Sequence, residues 1–216
     1  MRDLTTLLKA SADHHHDHLC PRQVLGVRMG LYAGELLGLS LPSPDKRLFV
    51  FVETDGCLTD GIAVATGCWW GNRTMRLVDY GKSAATFVDV QTEQAIRISP
   101  SIEARARARD YAPQAPDRWH AQLAAYQVMP NAELLNAREV VLAVSLKGII
   151  SRHGGRVICA ECGEDIINER EMRRDGIILC RACASGAYYS TAGLDGPQRV
   201  AEGLPTPAGV GASGDY

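Results

Sequence analysis

The chain has 216 residues, 46% of them apolar, with 23 basic and 25 acidic side chains and a formal charge of −2. That is enough for a domain with a real core plus an appendage, and the near-neutral balance speaks against a basic nucleic-acid or polyanion binder. No run approaches the ~20 apolar residues of a membrane span, and the first residues lack an apolar signal core, so the chain reads as cytoplasmic.

In chain order, the polar cluster Asp13-His14-His15-His16-Asp17-His18 leads through Leu19-Cys20-Pro21 into a periodic stretch. Val24, Val27, Leu31 and Leu36/Leu37 recur at helical spacing, which predicts a helix from about Pro21 to Gly38, with proline in its first turn. Gly26, Gly30, Gly34 and Gly38 fall every fourth residue. Each interior glycine costs ~1 kcal/mol against alanine, so the stripe points to close approach of another backbone. A merely tolerated set is the alternative.

Leu48-Phe49-Val50-Phe51-Val52 is a β-branched and aromatic run that reads as a strand buried on both faces. A short helix from Thr59 to Thr66, closed by Gly67, follows Glu53-Thr54-Asp55-Gly56-Cys57. Met75–Asp79, Ala85–Val90 and Ala95–Ser99 read as short antiparallel strands. Helices are expected over Ser101–Tyr111 and Asp117–Met129, then a capped turn at Asn131–Leu135 and a strand near Glu139–Val144. Segregated strands and helices favour an α+β fold, a mainly antiparallel sheet packed with helices. The core domain is placed at 1–150, a cysteine module at 156–190, and a tail at 191–216. That tail, rich in glycine and proline with few large apolar residues, cannot offset its ordering entropy and is expected to be disordered.

There are seven cysteines, an odd number, which suggests metal or redox ligands rather than a disulfide framework. Cys159-x2-Cys162 and Cys180-x2-Cys183 have the spacing of a structural four-cysteine zinc site, in which paired thiolates converge on a tetrahedral ion. Gly163 permits a tight knuckle and Arg173-Arg174-Asp175-Gly176 a hairpin turn, as in a treble-clef finger. Between residues 156 and 190 five arginines face six acids, and four thiolates on one zinc ion add about −2. Phosphate binding wants the opposite sign, so a structural or protein-docking finger is expected, without nucleic acid.

A second constellation is His16, His18 and Cys20, spaced two apart so that an extended segment turns them the same way. Cys20 precedes one helix and Cys57 precedes or opens the next, where the positive end of a helix stabilises a thiolate. The alternative is a solvated histidine run with two inert cysteines.

His16-Asp17-His18-Leu19-Cys20-Pro21, with Gly26 and Arg28 downstream, resembles the H-G-H-x-C-P-x5-G-x-R opening of the FmdE family, named for a component of formylmethanofuran dehydrogenase. The spacing after Pro21 is one residue shorter here, and Asp17 stands where glycine is common. Glu53-Thr54-Asp55-Gly56-Cys57-x2-Asp60 resembles the family's E-T-x-x-C-x-x-D block. Thr66-Gly67-Cys68 with Gly71-Asn72, and Asp79-Tyr80-Gly81-Lys82, resemble its third and fourth. The resemblance spans about Asp13 to Ser99, and several FmdE-like proteins also carry a finger of this kind. It implies an α+β core that forms a homodimer and a site built from the histidine and cysteine blocks. It also implies a link to molybdenum or tungsten formylmethanofuran dehydrogenase.

Three functions follow. The first is a zinc-binding accessory or regulatory protein of a molybdenum- or tungsten-type oxidoreductase. The second is an enzyme holding a second divalent metal at His16, His18, Cys20 and Cys57. The third is a thiol redox protein using Cys20 and Cys57. Were the core catalytic, Cys57, His18 and Lys82 are the candidate residues, with Asp60 near them.

Overall fold

The computed structural model describes residues 3–150 and 155–189 and divides into two compact units between Leu146 and Lys147. The segment 191–216, expected to be a disordered tail, lies outside the described residues. No helix among those residues is long and apolar enough to cross a membrane.

The first unit opens with helix α1, Leu4–Asp13, which periodicity alone did not single out. Leu4, Leu7, Leu8 and Ser11 form its inward stripe, and Asp3 caps it by accepting the Thr6 N–H at 3.0 Å. Helix α2 runs Pro21–Leu37 and ends on Gly38 in the left-handed conformation, φ 65°. Strand β1, Leu48–Val52, is buried on both faces as expected. Helix α3, Cys57–Thr66, begins two residues earlier than predicted and stops at Gly67, φ 77°.

Strands β2 (Met75–Leu77), β3 (Ala85–Asp89), β4 (Ala95–Pro100) and β5 (Leu135–Val140) join β1 in a five-stranded sheet of order β2-β1-β3-β4-β5. Three of the four pairings are antiparallel, and β1–β2 is parallel, Val50 facing Met75. The expectation of an antiparallel β2 is thereby corrected. Helix α3 lies between the two strands in sequence, and such a crossover returns the chain in the same direction. The last strand is also displaced from the expected 139–144. Helices α4 (Ala104–Tyr111) and α5 (Arg118–Val128) are followed by a single turn, α6 (Asn131–Leu134). That turn delivers Leu135, 4% exposed, straight opposite Pro100. Burial of Leu134 and Leu135 starts the strand there, whereas Val141 is 96% exposed. β5 is an edge, with Asn136, Ala137, Arg138 and Glu139 all exposed. A further single turn, α7 (Leu146–Ile149), falls where the two units divide.

Helices α2 and α3 pack at their glycines. A Cβ on Gly26 would meet the Leu58 carbonyl and lie 3.1 Å from the Gly61 Cα; one on Gly61 would meet the Gln23 carbonyl. One on Gly30 would lie 2.6 Å from the Ala65 Cβ. Contacts on α3 advance as those on α2 advance, so the helices run parallel with their N-termini at the same end. Arg28, half-buried, bolts α2 to the end of α5: its guanidinium donates to the carbonyls of Tyr126 and Met129, each at 2.7 Å, and to Asn131 Oδ1 at 2.6 Å. These carbonyls have no partner within the helix that ends there.

The second unit holds two hairpins, β6–β7 (Arg156–Ile158 with Asp165–Ile167) and β8–β9 (Met172–Arg174 with Ile177–Leu179), and helix α8, Arg181–Ser185. Asp175 (φ 52°) and Gly176 (φ 80°) make the predicted β8–β9 turn, whose two positive φ angles match the twist of the strands. Its core is small: Cys159, Ile166, Leu179 and Ala184.

Candidate functional site

The four finger cysteines converge. Their sulfurs all lie within 4.8 Å of one another, with Cys162 Sγ and Cys180 Sγ 3.9 Å apart. Gly163, φ 73°, turns the first knuckle, and Cys180 caps α8. The Cys180 N–H donates to Cys159 Sγ at 3.2 Å and the Cys183 N–H to Cys180 Sγ at 3.4 Å. Backbone N–H groups of Cys162 and Cys180 bring the Cys159 thiol down to about 6, while the Cys180 thiol beside Cys183 pushes the latter well up. Four sulfurs this close cannot all ionise without a cation among them. The donor set and its N–H···S bonds fit a tetrahedral structural zinc ion. Among the described residues this is the one group of three or more histidine, cysteine or acidic side chains so gathered.

In the first unit the histidine run forms a turn between α1 and α2. His16 (φ 53°) and Asp17 (φ 62°) take left-handed conformations. That explains why glycine suits the position of Asp17, and aspartate is among the side chains that tolerate it. His16 is exposed. His15, one residue earlier, turns to α3, its Nε2 2.8 Å from Asp60 Oδ2. His14 lies against Trp69 with ring centroids 5.5 Å apart, and His18 stacks on Trp119 at 5.8 Å and 23°.

Cys20 is the N-cap of α2. Its N–H donates to Gln23 Oε1 at 2.7 Å, and Gln23 Nε2 donates to the Ser11 carbonyl at 3.0 Å, so a fully buried glutamine locks the end of α1 to the start of α2. Cys57 is the first residue of α3, behind Gly56 at φ 76°, ψ −156°, a conformation open in practice to glycine. The Cys57 thiol is half-buried and held above its ordinary value, first by burial, then by the Cys20 thiol beside it and by the Asp60 carboxylate. The expectation that both cysteines share a lowered thiol pKa therefore fails at Cys57: desolvation and negative neighbours outweigh the helix end.

The remaining motif residues serve the scaffold. Glu53, 6% exposed, holds Arg97 with both oxygens at 2.6 and 2.7 Å, and its carbonyl accepts the N–H groups of Tyr80 and Lys82 at 3.0 and 3.2 Å. This pins the second block to the fourth. Lys82 is exposed, its ammonium 5.8 Å from the Tyr80 ring. Thr66 Oγ1 accepts the Cys68 N–H at 3.1 Å, and buried Cys68, its thiol pushed up to about 11 by burial, donates to the Leu48 carbonyl. Thus Cys20, Cys57, Asp60 and His15 come together, while His16 faces solvent, His18 packs on Trp119 and Lys82 packs on Tyr80. His15, Trp119, Gln23 and Gly61 were missed. Only Gln23 carried a local signal, three residues after the N-cap.

The family model described as FmdE, molybdenum formylmethanofuran dehydrogenase operon, matches residues 15–136, and the prokaryotic dksA/traR C4-type zinc finger matches 154–189. A protein of Archaeoglobus fulgidus described as a probable S-adenosyl-L-methionine-binding protein is 39% identical over 101 residues. The match takes in 45% of this chain and only 28% of that protein. The crystal structure of an FmdE-like protein of tungsten formylmethanofuran dehydrogenase from Syntrophus aciditrophicus superimposes with a TM-score of 0.51. It covers 84% of this chain and 92% of its own at 20% identity, a likeness of fold.

Proposed function

Because this chain belongs to the FmdE family and carries a C4 zinc finger behind the family domain, we propose that it is a zinc-binding accessory or regulatory protein. Its client would be a molybdenum- or tungsten-dependent oxidoreductase of the formylmethanofuran dehydrogenase type, and it would act as a homodimer. The observation that carries the docking role is the finger itself. Its core has four buried side chains, while Ile158, Ile177 and Tyr188 stay exposed at 57%, 53% and 90%. A unit that commits its few apolar residues outward suits a protein partner, and its slight acid excess supports that over phosphate.

Sedimentation of the purified chain at low micromolar concentration is expected to give twice the monomer mass. Added to a purified oxidoreductase of this type, it is expected to co-sediment, and Ile177→Asp to weaken that at least tenfold. A chain that stays monomeric and never co-sediments would overturn the reading.

A second reading, that the core does chemistry of its own, is favoured by the adjacency of Cys20 and Cys57. The second divalent metal expected at His16, His18, Cys20 and Cys57 has no comparable gathering of ligands to support it. Metal analysis of anaerobically purified protein is expected to give one zinc per chain, unchanged in Cys57→Ala. A second metal lost in that variant would restore the core metal site.

A further inference from the structure

The parallel pairing of α2 and α3 has a consequence at their shared end. Gln23 touches Gly61 through its carbonyl, and Gly26 abuts Leu58, Gly61 and Ile62. Neither glycine bears a side chain, so the two backbones lie closer here than the usual ~8–10 Å between helix axes. One turn towards the N-terminus from Gln23 is Cys20, and one turn from Gly61 is Cys57. A helical turn keeps a residue on the same face, so both cysteines project from facing sides of a backbone pair held in near contact. Gln23 and Ser11 fix the Cys20 end, while Thr59 Oγ1, donating to the Thr54 carbonyl at 2.7 Å, fixes the Cys57 end. Both thiols are partly accessible, unlike buried Cys68. A disulfide needs Cα atoms within about 4.4–6.8 Å and side chains aimed at each other, and such a helix contact supplies both.

We propose that Cys20 and Cys57 are a reversible dithiol–disulfide couple that exchanges with small disulfides, a modification site joining the first turns of α2 and α3. This rests on the thiol reading of the core and is independent of the oxidoreductase link. One cysteine, as thiolate, attacks a sulfur of the disulfide RSSR, forming a mixed disulfide and releasing RS⁻. The second thiolate then attacks the protein sulfur of that mixed disulfide, closing the Cys20–Cys57 bond and releasing the second RS⁻. The two protons shed by the cysteines end on the released thiolates. The net change is two cysteines oxidised and RSSR reduced to two RSH. Closure staples the helix ends and removes both nucleophiles. Because Gly26 and Gly61 already hold the backbones together, it requires little rearrangement.

The test uses the full zinc-loaded chain, equilibrated with reduced and oxidised glutathione at a series of ratios. Free thiols are then alkylated and the protein is digested with trypsin. Under oxidising ratios the peptide containing Cys20 is expected to appear cross-linked to the one containing Cys57, with loss of two alkylatable thiols and retention of the finger zinc. Cys57→Ser is expected to abolish the cross-link and leave Cys20 as its glutathione mixed disulfide. Two cysteines that stay alkylatable at every ratio, or that carry separate glutathione adducts in the unaltered chain, would overturn the proposal. So would a core metal that shields both. Because the unaltered protein gives the deciding result, a variant that fails to fold does not blunt the test. Co-sedimentation with an oxidoreductase is a separate readout, so either idea can fail alone.

Discussion

Asp89 shows how a single buried charge sets a condition on the whole sheet. It is 2% exposed, and its carboxylate takes Arg47 Nη2 at 2.8 Å and Nε at 3.1 Å and the Gln91 N–H at 2.9 Å. The Arg47 guanidinium holds its carboxyl down to about 2. A carboxylate whose folded pKa lies below its unfolded value of ~3.9 contributes stability above that value and loses it as pH falls towards 2. The contribution is on the order of 2 kcal/mol by that linkage. Urea midpoints of the unaltered chain and of Asp89→Asn are therefore expected to differ clearly at pH 6 and to draw together between pH 4 and pH 2. A gap that stays constant with pH would show that the pair contributes packing rather than charge. At this scale the sequence told residue types better than residue roles. The histidine run announced itself, yet which histidine turns inward depends on two left-handed residues, His16 and Asp17, that reverse the chain. An extended segment would present His16 and His18 together; the turn presents His15 to Asp60 instead. Trp119 stands about 100 positions from His18, and nothing local links them.

Among the elements, the α2–α3 pair makes the sharpest demand on sequence. The four-glycine stripe resolves into different needs. Gly26 and Gly30 admit α3, Gly34 lies 3.0 Å (by its would-be Cβ) from the Leu39 carbonyl, and Gly38 ends the helix at positive φ. Gly61 is the partner on the other helix. Gly61→Ala and Gly26→Ala are each expected to lower stability by ~1–3 kcal/mol, the usual cost of overpacking, because backbone atoms stand in the way. Gly71→Ala, where a Cβ would meet nothing within 4 Å, serves as the near-neutral control. Equal denaturant midpoints for all three would remove the close-contact account. α2, β1 and α3 were legible because their periodicity and caps agree with their tertiary roles. The direction of β2 was not, since a three-residue strand carries no sign of its orientation. Nor was the start of β5, which is decided by burial of Leu134 and Leu135 rather than by β-propensity.

For the whole molecule, two cores mean two stabilities. The first unit buries a continuous cluster running from α1 to β5, while the second rests on four small side chains and its metal cage. Stripping zinc with a strong chelator is expected to open the finger to proteolysis after Arg156 or Arg174 and leave the thermal transition of the first unit within a degree or two. Chelation that melts both units together would show that they fold as one. The cysteine spacing made the finger readable, because metal geometry constrains sequence more tightly than a hydrophobic core does. The edge strand β5 carries a further consequence. It pairs with β4 on one side and leaves its other side open among the described residues, so alternate amides along 135–140 point away from the sheet. Left uncovered, those amides trade deuterium with solvent quickly while their inward neighbours wait for the sheet to open. A second copy laid along that edge would slow them in proportion to how much of the protein is paired, turning six residues of backbone into a concentration gauge.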